Sequence, residues 1–306
     1  MAISAKDVME LRKQTDCGMM ECKKALTDAE GDFAKAIELL RERGLATAAK
    51  KAGRVAAEGM VYADYCAECK VGVVIEVNAE TDFVAKNDKF VEFVKEVSKV
   101  IMQQNPADVE ALMGCKMGEG TVDDALKQLI LVIKENIKVR RFVRYEGPCA
   151  AYVHGGGTHA VLVNFETSDE IAAKPEFAAY GKDIAMQIAA MNPAYLDKSD
   201  VDQATLDKEK EILLIQAKED PKNANKPENI IEKMVMGRIG KYYEENCLLQ
   251  QAFVKENKVS VEKHIAEVAK QLGGKITVKA FTRFQTGEGI EKAEEDFAAE
   301  VASMIH

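Results

Sequence analysis

Two cysteines at the spacing of a redox or metal-binding pair are the residues most capable of chemistry in this chain. Cys66 and Cys69 are separated by two residues, a spacing at which paired thiols exchange electrons or supply half of a zinc site. A zinc site needs two further ligands, and the four histidines form no second pair at ligand spacing. The pair lies between two strand-like runs, so we interpret it as a hairpin turn with incidental thiols. A redox role for this pair is the best hypothesis that would make the protein an enzyme.

Other catalytic patterns are absent from the sequence. Residues 155–157 are three consecutive glycines, but no Gly-Lys-Ser/Thr follows them, so a tight turn explains them better than a phosphate-binding loop. The chain contains no G-x-S-x-G and no H-E-x-x-H, the patterns of a nucleophilic serine and of a zinc hydrolase. Carboxylates cluster only on segments rich in both charges, as expected of a solvated helix face. We therefore predict a protein that is not an enzyme and uses no cofactor or metal.

Composition and length favour a globular protein that binds another protein. The 306 residues carry a net charge of −9, which disfavours a nucleic-acid surface because phosphate binding needs concentrated Lys and Arg. Seven cysteines, an odd number, agree with free thiols in a reducing compartment. No apolar run is long enough to span a bilayer, and the N-terminus lacks a secretory signal. We expect a cytoplasmic protein without membrane contact or direct contact with nucleic acid.

An internal duplication provides a control for the most informative segment, Thr81-Asp82-Phe83-Val84. Phe90 recurs as Phe177, 87 residues later, and several aliphatic positions recur at the same offset. In the second copy the segment reads Ser168-Asp169-Glu170-Ile171, so a glutamate stands in place of Phe83. A core position would rarely accept glutamate, because burying an unpaired carboxylate is costly. We therefore expect Phe83 to be exposed and to act as a wedge for a protein partner.

Apolar periodicity predicts an α+β protein built around the two copies. Each copy reads as a β-hairpin followed by a helix, and a late strand at 276–284 echoes residues 139–144. Before them lie three helices, and after them a final helix from about residue 291 to 304. The predicted division is a three-helix domain 1–45, a linker 46–59, core subdomains 60–147 and 148–285 with an inserted antiparallel helical hairpin at about 203–245, and a C-terminal helical module 286–306.

Some boundaries and packing seams are predicted in more detail. Gly44 is expected to stop the third helix, and the linker has few large apolar groups, so the first domain should move on a tether. The helix between the copies should run from residue 122 to 137. In the inserted hairpin, Leu213 and Ile215 should pack against Ile231 and Val235.

Four segments, in this order, give the chain a resemblance to a known family. They are residues 11–26 (LRKQTDCGMMECKKAL), 78–87 (NAETDFVAKN), 135–141 (ENIKVRR) and 287–292 (GEGIEK). On these segments the chain resembles the bacterial translation elongation factor Ts family over essentially its whole length. The resemblance implies a guanine nucleotide exchange factor for the GTPase elongation factor Tu. It also implies a ubiquitin-associated-like first domain, a duplicated core, an inserted coiled coil and a C-terminal module.

The resemblance assigns the exchange-promoting role to Asp82 and Phe83. It implies that Phe83 enters a crevice on the nucleotide domain of Tu and displaces groups that hold Mg²⁺ and phosphates, while Asp82 fixes the approach. The stoichiometry stays open between a one-to-one complex and a 2:2 assembly. The residues implied to bind the partner are Arg12, Met19, Met20, Lys23, Thr81, Val84, His154 and Val254.

Several of these positions have an alternative interpretation. One of the adjacent Met19 and Met20 should pack into the small helical core, because both cannot face inward. His154, in a glycine-rich turn, would otherwise be assigned a structural role. Lys255 and Lys134 replace a methionine and a glycine common in the family. An interaction scaffold without exchange activity is the alternative function.

Overall fold

The computed structural model describes residues 3–223 and 226–291, and the chain is an α+β protein. It begins with three helices around a small apolar core formed by Leu11, Cys22, Leu26 and Leu40. A capping box begins the first helix, since the Ser4 hydroxyl accepts from the backbone N–H of Asp7 and the Asp7 carboxylate accepts from the backbone N–H of Ser4. The helices are α1 Ala5–Thr15, α2 Met19–Asp28 and α3 Phe33–Lys51.

The first copy is a three-stranded antiparallel sheet covered on one face by helices. Its strands follow the order β1-β2-β5. The predicted hairpin therefore gains a third strand, which contains residues 139–144. The elements are β1 Glu58–Cys66, β2 Val71–Ala79, α4 Asp82–Ala85, α5 Asp88–Gln104, α6 Val109–Met113, β3 Lys116–Met117, β4 Gly120–Thr121, α7 Val122–Ile133 and β5 Lys138–Glu146.

The second copy repeats this plan and carries the insertion. Its sheet has the order β10-β7-β6, and the inserted helices α10 and α11 separate the cover helix α9 from the last strand. The elements are β6 Cys149–His154, β7 His159–Glu166, α8 Asp169–Ala172, α9 Pro175–Met191, α10 Gln203–Glu219, α11 Glu228–Asn246, β8 Ala252–Phe253, β9 Glu256–Ser260, α12 Val261–Leu272 and β10 Thr277–Gln285.

The offset of 87 residues holds for the helices of the two copies but not for their hairpins. α4 and α8 begin at Asp82 and Asp169, and the helices that follow them have C-caps at Asn105 and Asn192, both with positive φ. At the hairpin turns the last ladder pairs are Cys66–Val71 and His154–His159, an offset of 88. The second copy is therefore one residue shorter within its second strand, since β2 has nine residues and β7 has eight.

The two sheets pack face to face, and helices cover their outer faces. Val61 and Val74 of the first sheet meet Ala160 and Leu162 of the second in an inter-copy core. The approach is close at Gly72, where a Cβ atom would lie 2.7 Å from Leu162 and 3.0 Å from Cys149. α5 and α9 complete the layers and bury the opposite faces of β2 and β7.

Two predictions about the start of the chain are wrong. α3 does not end at Gly44 but continues to Lys51, so the predicted linker 46–59 shortens to residues 52–57. A Cβ atom on Gly44 would lie 3.3 Å from the carbonyl oxygen of Lys127, so this glycine allows α3 to approach α7. Leu131 of α7 completes the core of the three helices. The first domain is therefore packed on the core rather than held only by a tether.

Other details differ from the predictions for physical reasons. α7 ends at Ile133, because Lys134 adopts the left-handed conformation (φ 65°) of a C-cap, where the family commonly has glycine. Cys66 and Cys69 form a disulfide in the β1–β2 turn, so the predicted turn is confirmed but its thiols are not free. Ile215 points to solvent, and its expected place in the α10–α11 seam is taken by Leu214 and Ala217.

The last described segment is anchored to the first copy by a buried carboxylate. Glu76 is fully buried and accepts hydrogen bonds from Arg140, Arg141 and the backbone N–H of Gly287. The C-terminal helix predicted for 291–304 lies outside the described residues. Among the described residues, no helix is long and apolar enough to cross a membrane.

Candidate partner-binding site

The segment Thr81–Val84 forms a tight turn that faces outward on one side and into the core on the other. Phe83 is 79% exposed, which confirms the prediction from the duplication. Val84, next to it on α4, is 5% exposed and belongs to the core under β2. The contact of Val84 with a partner stays a prediction, and in the free chain its side chain lies in the core. Val84 anchors the turn that presents Phe83.

Glu135 holds the turn through both oxygens of its carboxylate. The Thr81 hydroxyl donates to Oε1 at 2.7 Å, and the Thr81 backbone N–H donates to Oε2 at 3.0 Å. Thr81 precedes α4 but makes no side-chain cap to it, and its hydroxyl bonds to Glu135. Two bonds from one carboxylate fix both the position and the rotation of this residue.

The neighbouring residues form a second clamp on the same turn. Glu80 accepts from the backbone N–H of Asn136 at 2.6 Å and pairs with Arg54 at 3.3 Å. The Asn136 side-chain amide donates to the carbonyl oxygen of Arg54 at 2.7 Å. The segment after α7 therefore joins the functional turn to the short linker from α3. Sequence reasoning gave no role to Glu80, Glu135 or Asn136, although all three lie in family segments.

The second copy shows what the same turn looks like without the wedge. Ile171 is buried as Val84 is, and Glu170, in the place of Phe83, is exposed. Asp169 pairs at 2.7 Å with Lys70 from the hairpin turn of the first copy. Its counterpart Asp82 pairs only weakly, at 3.6 Å, with Lys86 on the following turn. The Asp82 carboxylate is thus more available to a partner than that of Asp169.

The predicted N-terminal residues form an exposed patch beside this turn. Met19 and Met20 are 50% and 73% exposed, so the expectation that one of them fills the core is wrong. Arg12 and Lys23 are also exposed. Asp16, in the α1–α2 connection, pairs at 3.3 Å with Lys89 in the first turn of α5. This ion pair brings the patch close to the segment that carries Phe83.

His154 lies at the turn of the second hairpin, against the start of β1. The carbonyl oxygen of Gly157 in this turn accepts from the Val61 backbone N–H at 2.8 Å. The His154 ring is exposed, and its Nδ1 bonds to the Tyr152 hydroxyl at 2.9 Å. Because β1 starts where β2 ends, this turn lies at the end of the sheet that leads into α4.

Two further groups complete the description of the predicted residues. Val254, in the β8–β9 turn, is 45% exposed, and its backbone N–H donates to Gln187 of α9. Burial, and next the charge of Arg283, lower the pKa of His159, the cross-strand partner of His154. Among the described residues, no group of three or more His, Cys, Asp or Glu is arranged to hold a metal ion.

Comparisons with known proteins identify the family of this chain. A family described as elongation factor TS matches residues 80–288. The chain is 50% identical over 306 residues to Elongation factor Ts of Clostridium perfringens (strain SM101), with 99% of each chain covered. It is 47% identical over 311 residues to that of Trichlorobacter lovleyi, with 99% of this chain and 98% of the relative covered. The chain belongs to the elongation factor Ts family.

Members of the elongation factor Ts family are non-catalytic nucleotide exchange factors that act on elongation factor Tu in translation elongation, as the resemblance implied. The matched segment starts at Glu80 and ends at Glu288, and therefore spans both copies of the core. The relatives extend this similarity over the N-terminal helices. The similarity to the elongation factor Ts family thus includes both the turn that carries Phe83 and the N-terminal patch.

Proposed function

We propose that this chain releases GDP from elongation factor Tu by pressing Phe83 into the nucleotide domain, while Asp82 fixes the approach. One observation carries the proposal: an aromatic side chain that is 79% exposed stands on a turn held by the buried Val84 and by the hydrogen bonds of Thr81 to Glu135. Val84 holds the turn from below, and Glu135 holds it from the side. A ring on such a support can push into a partner without folding back.

The free energy for exchange comes from differential binding. In the free protein the Phe83 ring faces water, so its burial stabilises only the complex in which Tu has opened to accept it. GDP in Tu is held by charge-assisted contacts to its phosphates and metal, and these weaken when their donors move. By reciprocity, GDP weakens binding of this chain by the factor by which the chain weakens GDP binding.

The remaining contacts would come from three regions of the surface. Arg12, Met19, Met20 and Lys23 form a patch next to the wedge, and their exposure supports a role in binding. Thr81 would contribute by holding the turn in place through its hydrogen bond to Glu135. His154 and Val254, both exposed on turns of the second copy, would reach a more distant part of Tu.

The finer organisation belongs to the same proposal. We assign a ubiquitin-associated-like domain to α1, α2 and α3, and core subdomains to 60–147 and 148–285, in a cytoplasmic protein. The α10–α11 hairpin would serve as a contact arm, because its surface exposes Ile212, Ile215, Ile230 and Met236. A 2:2 assembly with Tu is distinguished from a one-to-one complex by the solution mass of the mixed proteins.

The decisive experiment compares the same position in the two copies. Tu loaded with fluorescent GDP is mixed with excess unlabelled nucleotide and with wild type, Phe83→Ala or Glu170→Ala. Wild type should accelerate loss of the label, and Phe83→Ala should reduce this acceleration roughly 30-fold to 100-fold, the range of a binding hot spot. Glu170→Ala should behave as wild type.

Two results would contradict the proposal. Equal effects of Phe83→Ala and Glu170→Ala would show that the exposed ring has no special role. Binding of wild type to Tu without any acceleration of GDP release would instead favour the interaction scaffold. Because both residues are exposed, neither substitution should change the thermal midpoint by more than a few degrees.

A further inference from the structure

The β1–β2 turn contains a disulfide at an exposed position. Cys66 and Cys69 are bonded, with their Cα atoms 5.5 Å apart. Cys69 is exposed and Cys66 is half-buried at the end of β1. All seven cysteines lie in the described residues, and the other five are free; four of these are buried and Cys115 is half-buried. The bonded pair is thus also the one most open to solvent.

Stabilisation of the fold does not account for this bond. The ladder pair Cys66–Val71 already closes the hairpin, and the disulfide lies inside the turn that this pair closes. A cross-link between residues three apart removes little entropy from the unfolded chain, because the effect grows with loop length. Disulfides in reducing compartments are mostly transient, catalytic or redox-sensing. The position of this bond therefore fits reversible chemistry better than a permanent staple.

The local geometry favours attack at one sulfur. Cys69 is the more exposed of the two residues, so an incoming thiolate reaches its Sγ first. The sulfur that leaves is Cys66 Sγ, which accepts a hydrogen bond from the Cys69 backbone N–H at 3.3 Å. That N–H stabilises negative charge on the leaving sulfur, which accelerates the exchange. Each sulfur thus has a distinct place in the reaction.

We propose that Cys66 and Cys69 form a redox-modification site that undergoes thiol–disulfide exchange with dithiols. A thiolate of the dithiol bonds to Cys69 Sγ, the Cys66–Cys69 bond breaks, and its electron pair remains on Cys66 Sγ. The second thiolate of the dithiol then attacks the first sulfur of the same dithiol, which is bonded to Cys69 Sγ in the mixed disulfide. This step releases Cys69 as a thiolate and leaves the dithiol oxidised. Oxidised glutathione or another disulfide reverses the sequence.

The structure also indicates which contacts would change when the Cys66–Cys69 disulfide is reduced. Lys70, directly after the pair, has a left-handed backbone (φ 52°) and pairs with Asp169 of the second copy at 2.7 Å. Its carbonyl oxygen accepts from the Gly147 N–H at 2.8 Å. The disulfide restrains the turn that makes these two contacts. Reduction should loosen the turn and expose the peptide bond after Lys70 to proteolysis.

The test uses the full chain in buffers of graded reduced to oxidised dithiothreitol. Free thiols are alkylated and counted by intact mass, and the linked cysteines are located by non-reducing peptide mapping. The oxidised protein should protect two thiols, at Cys66 and Cys69, and recover them reversibly on reduction. Trypsin should cut after Lys70 roughly fivefold faster in the reduced protein. Cys115→Ser should keep the redox response, and the double variant Cys66→Ser, Cys69→Ser should lose it.

Three outcomes would overturn the proposal. They are the absence of a 66–69 disulfide at any buffer ratio, a disulfide that dithiols do not reduce in the folded protein, and equal cleavage after Lys70 in both states. The disulfide site is independent of the proposed mechanism of nucleotide exchange, because the β1–β2 turn lies at the opposite end of the hairpin from Thr81. GDP release from Tu should therefore be the same for the reduced and oxidised protein.

Discussion

Replacement of Glu135 by glutamine tests whether the support of Phe83 matters as much as the ring itself. The carboxylate accepts two hydrogen bonds from Thr81, one from the hydroxyl and one from the backbone N–H. A glutamine amide has a single oxygen, so its NH₂ group would face one of these donors. The contact is half-buried, and loss of a charge-assisted bond there should lower the free energy of unfolding by about 1.5 kcal/mol.

The effect on exchange should exceed what this loss of stability explains. The folded population stays near complete, because about 1.5 kcal/mol is a small part of a typical folding free energy. The turn, however, loses its lateral support and keeps only the anchor at Val84. If orientation of Phe83 accounts for a similar free energy in the complex, stimulation of GDP release should fall roughly tenfold. Phe83 itself is untouched, so the loss would report on positioning.

A double-mutant cycle with Thr81→Val completes the test. Valine removes the hydroxyl that donates to Glu135 but keeps the backbone N–H. The two substitutions should be coupled by at least about 0.5 kcal/mol, both in urea unfolding and in GDP release measured by stopped flow. Glu267→Gln, at an exposed position on α12, is the control for loss of one negative charge. Additive effects, or unchanged GDP release in Glu135→Gln, would refute the reasoning.

Three further predictions concern stability. Glu76→Ala should lower the free energy of urea unfolding by about 3 kcal/mol, because it leaves Arg140 and Arg141 without their buried partner; an effect below about 1 kcal/mol would contradict this. Tyr180→Phe should leave that free energy unchanged or raise it by about 1 kcal/mol, because the buried hydroxyl has no hydrogen-bond partner among the described residues. The pKa of His159 is lowered in the folded chain, so as the pH falls below the ordinary histidine pKa of 6.5 the unfolded chain binds more protons than the folded chain. The thermal midpoint should therefore fall as the pH drops below this value, and less steeply in His159→Gln.

The outward position of Phe83 could be predicted because the chain contains its own comparison. A position that accepts glutamate in a second copy is rarely packed in a core, and Phe83 and Glu170 are both exposed. The same comparison between the two copies indicated that Val84 is buried. An aliphatic side chain kept as Ile171 indicates burial, and both residues lie in apolar cores. The expectation that Val84 contacts a partner did not use this comparison.

Features that depend on distant contacts could not be predicted. A glycine in a helical segment signals either a helix end or a close approach, and only the position of Lys127 shows that Gly44 serves the second purpose. The grip of Glu135 on Thr81 joins residues 54 positions apart. Met19 and Met20 are both exposed because Cys22, Ala25 and Leu26 already fill the small core.

The uninterrupted α3 has a consequence for recognition. Nineteen residues of helix form a rod of about 28 Å, and its contact with α7 through Gly44 ties that rod to the core. This contact, together with Leu131 of α7 in the core of the three helices, fixes the methionine patch relative to the Phe83 turn. The configurational entropy of fixing their separation is lost when the chain folds, and little of it is lost again on association. A partner with two matching pockets can therefore engage both in a single encounter.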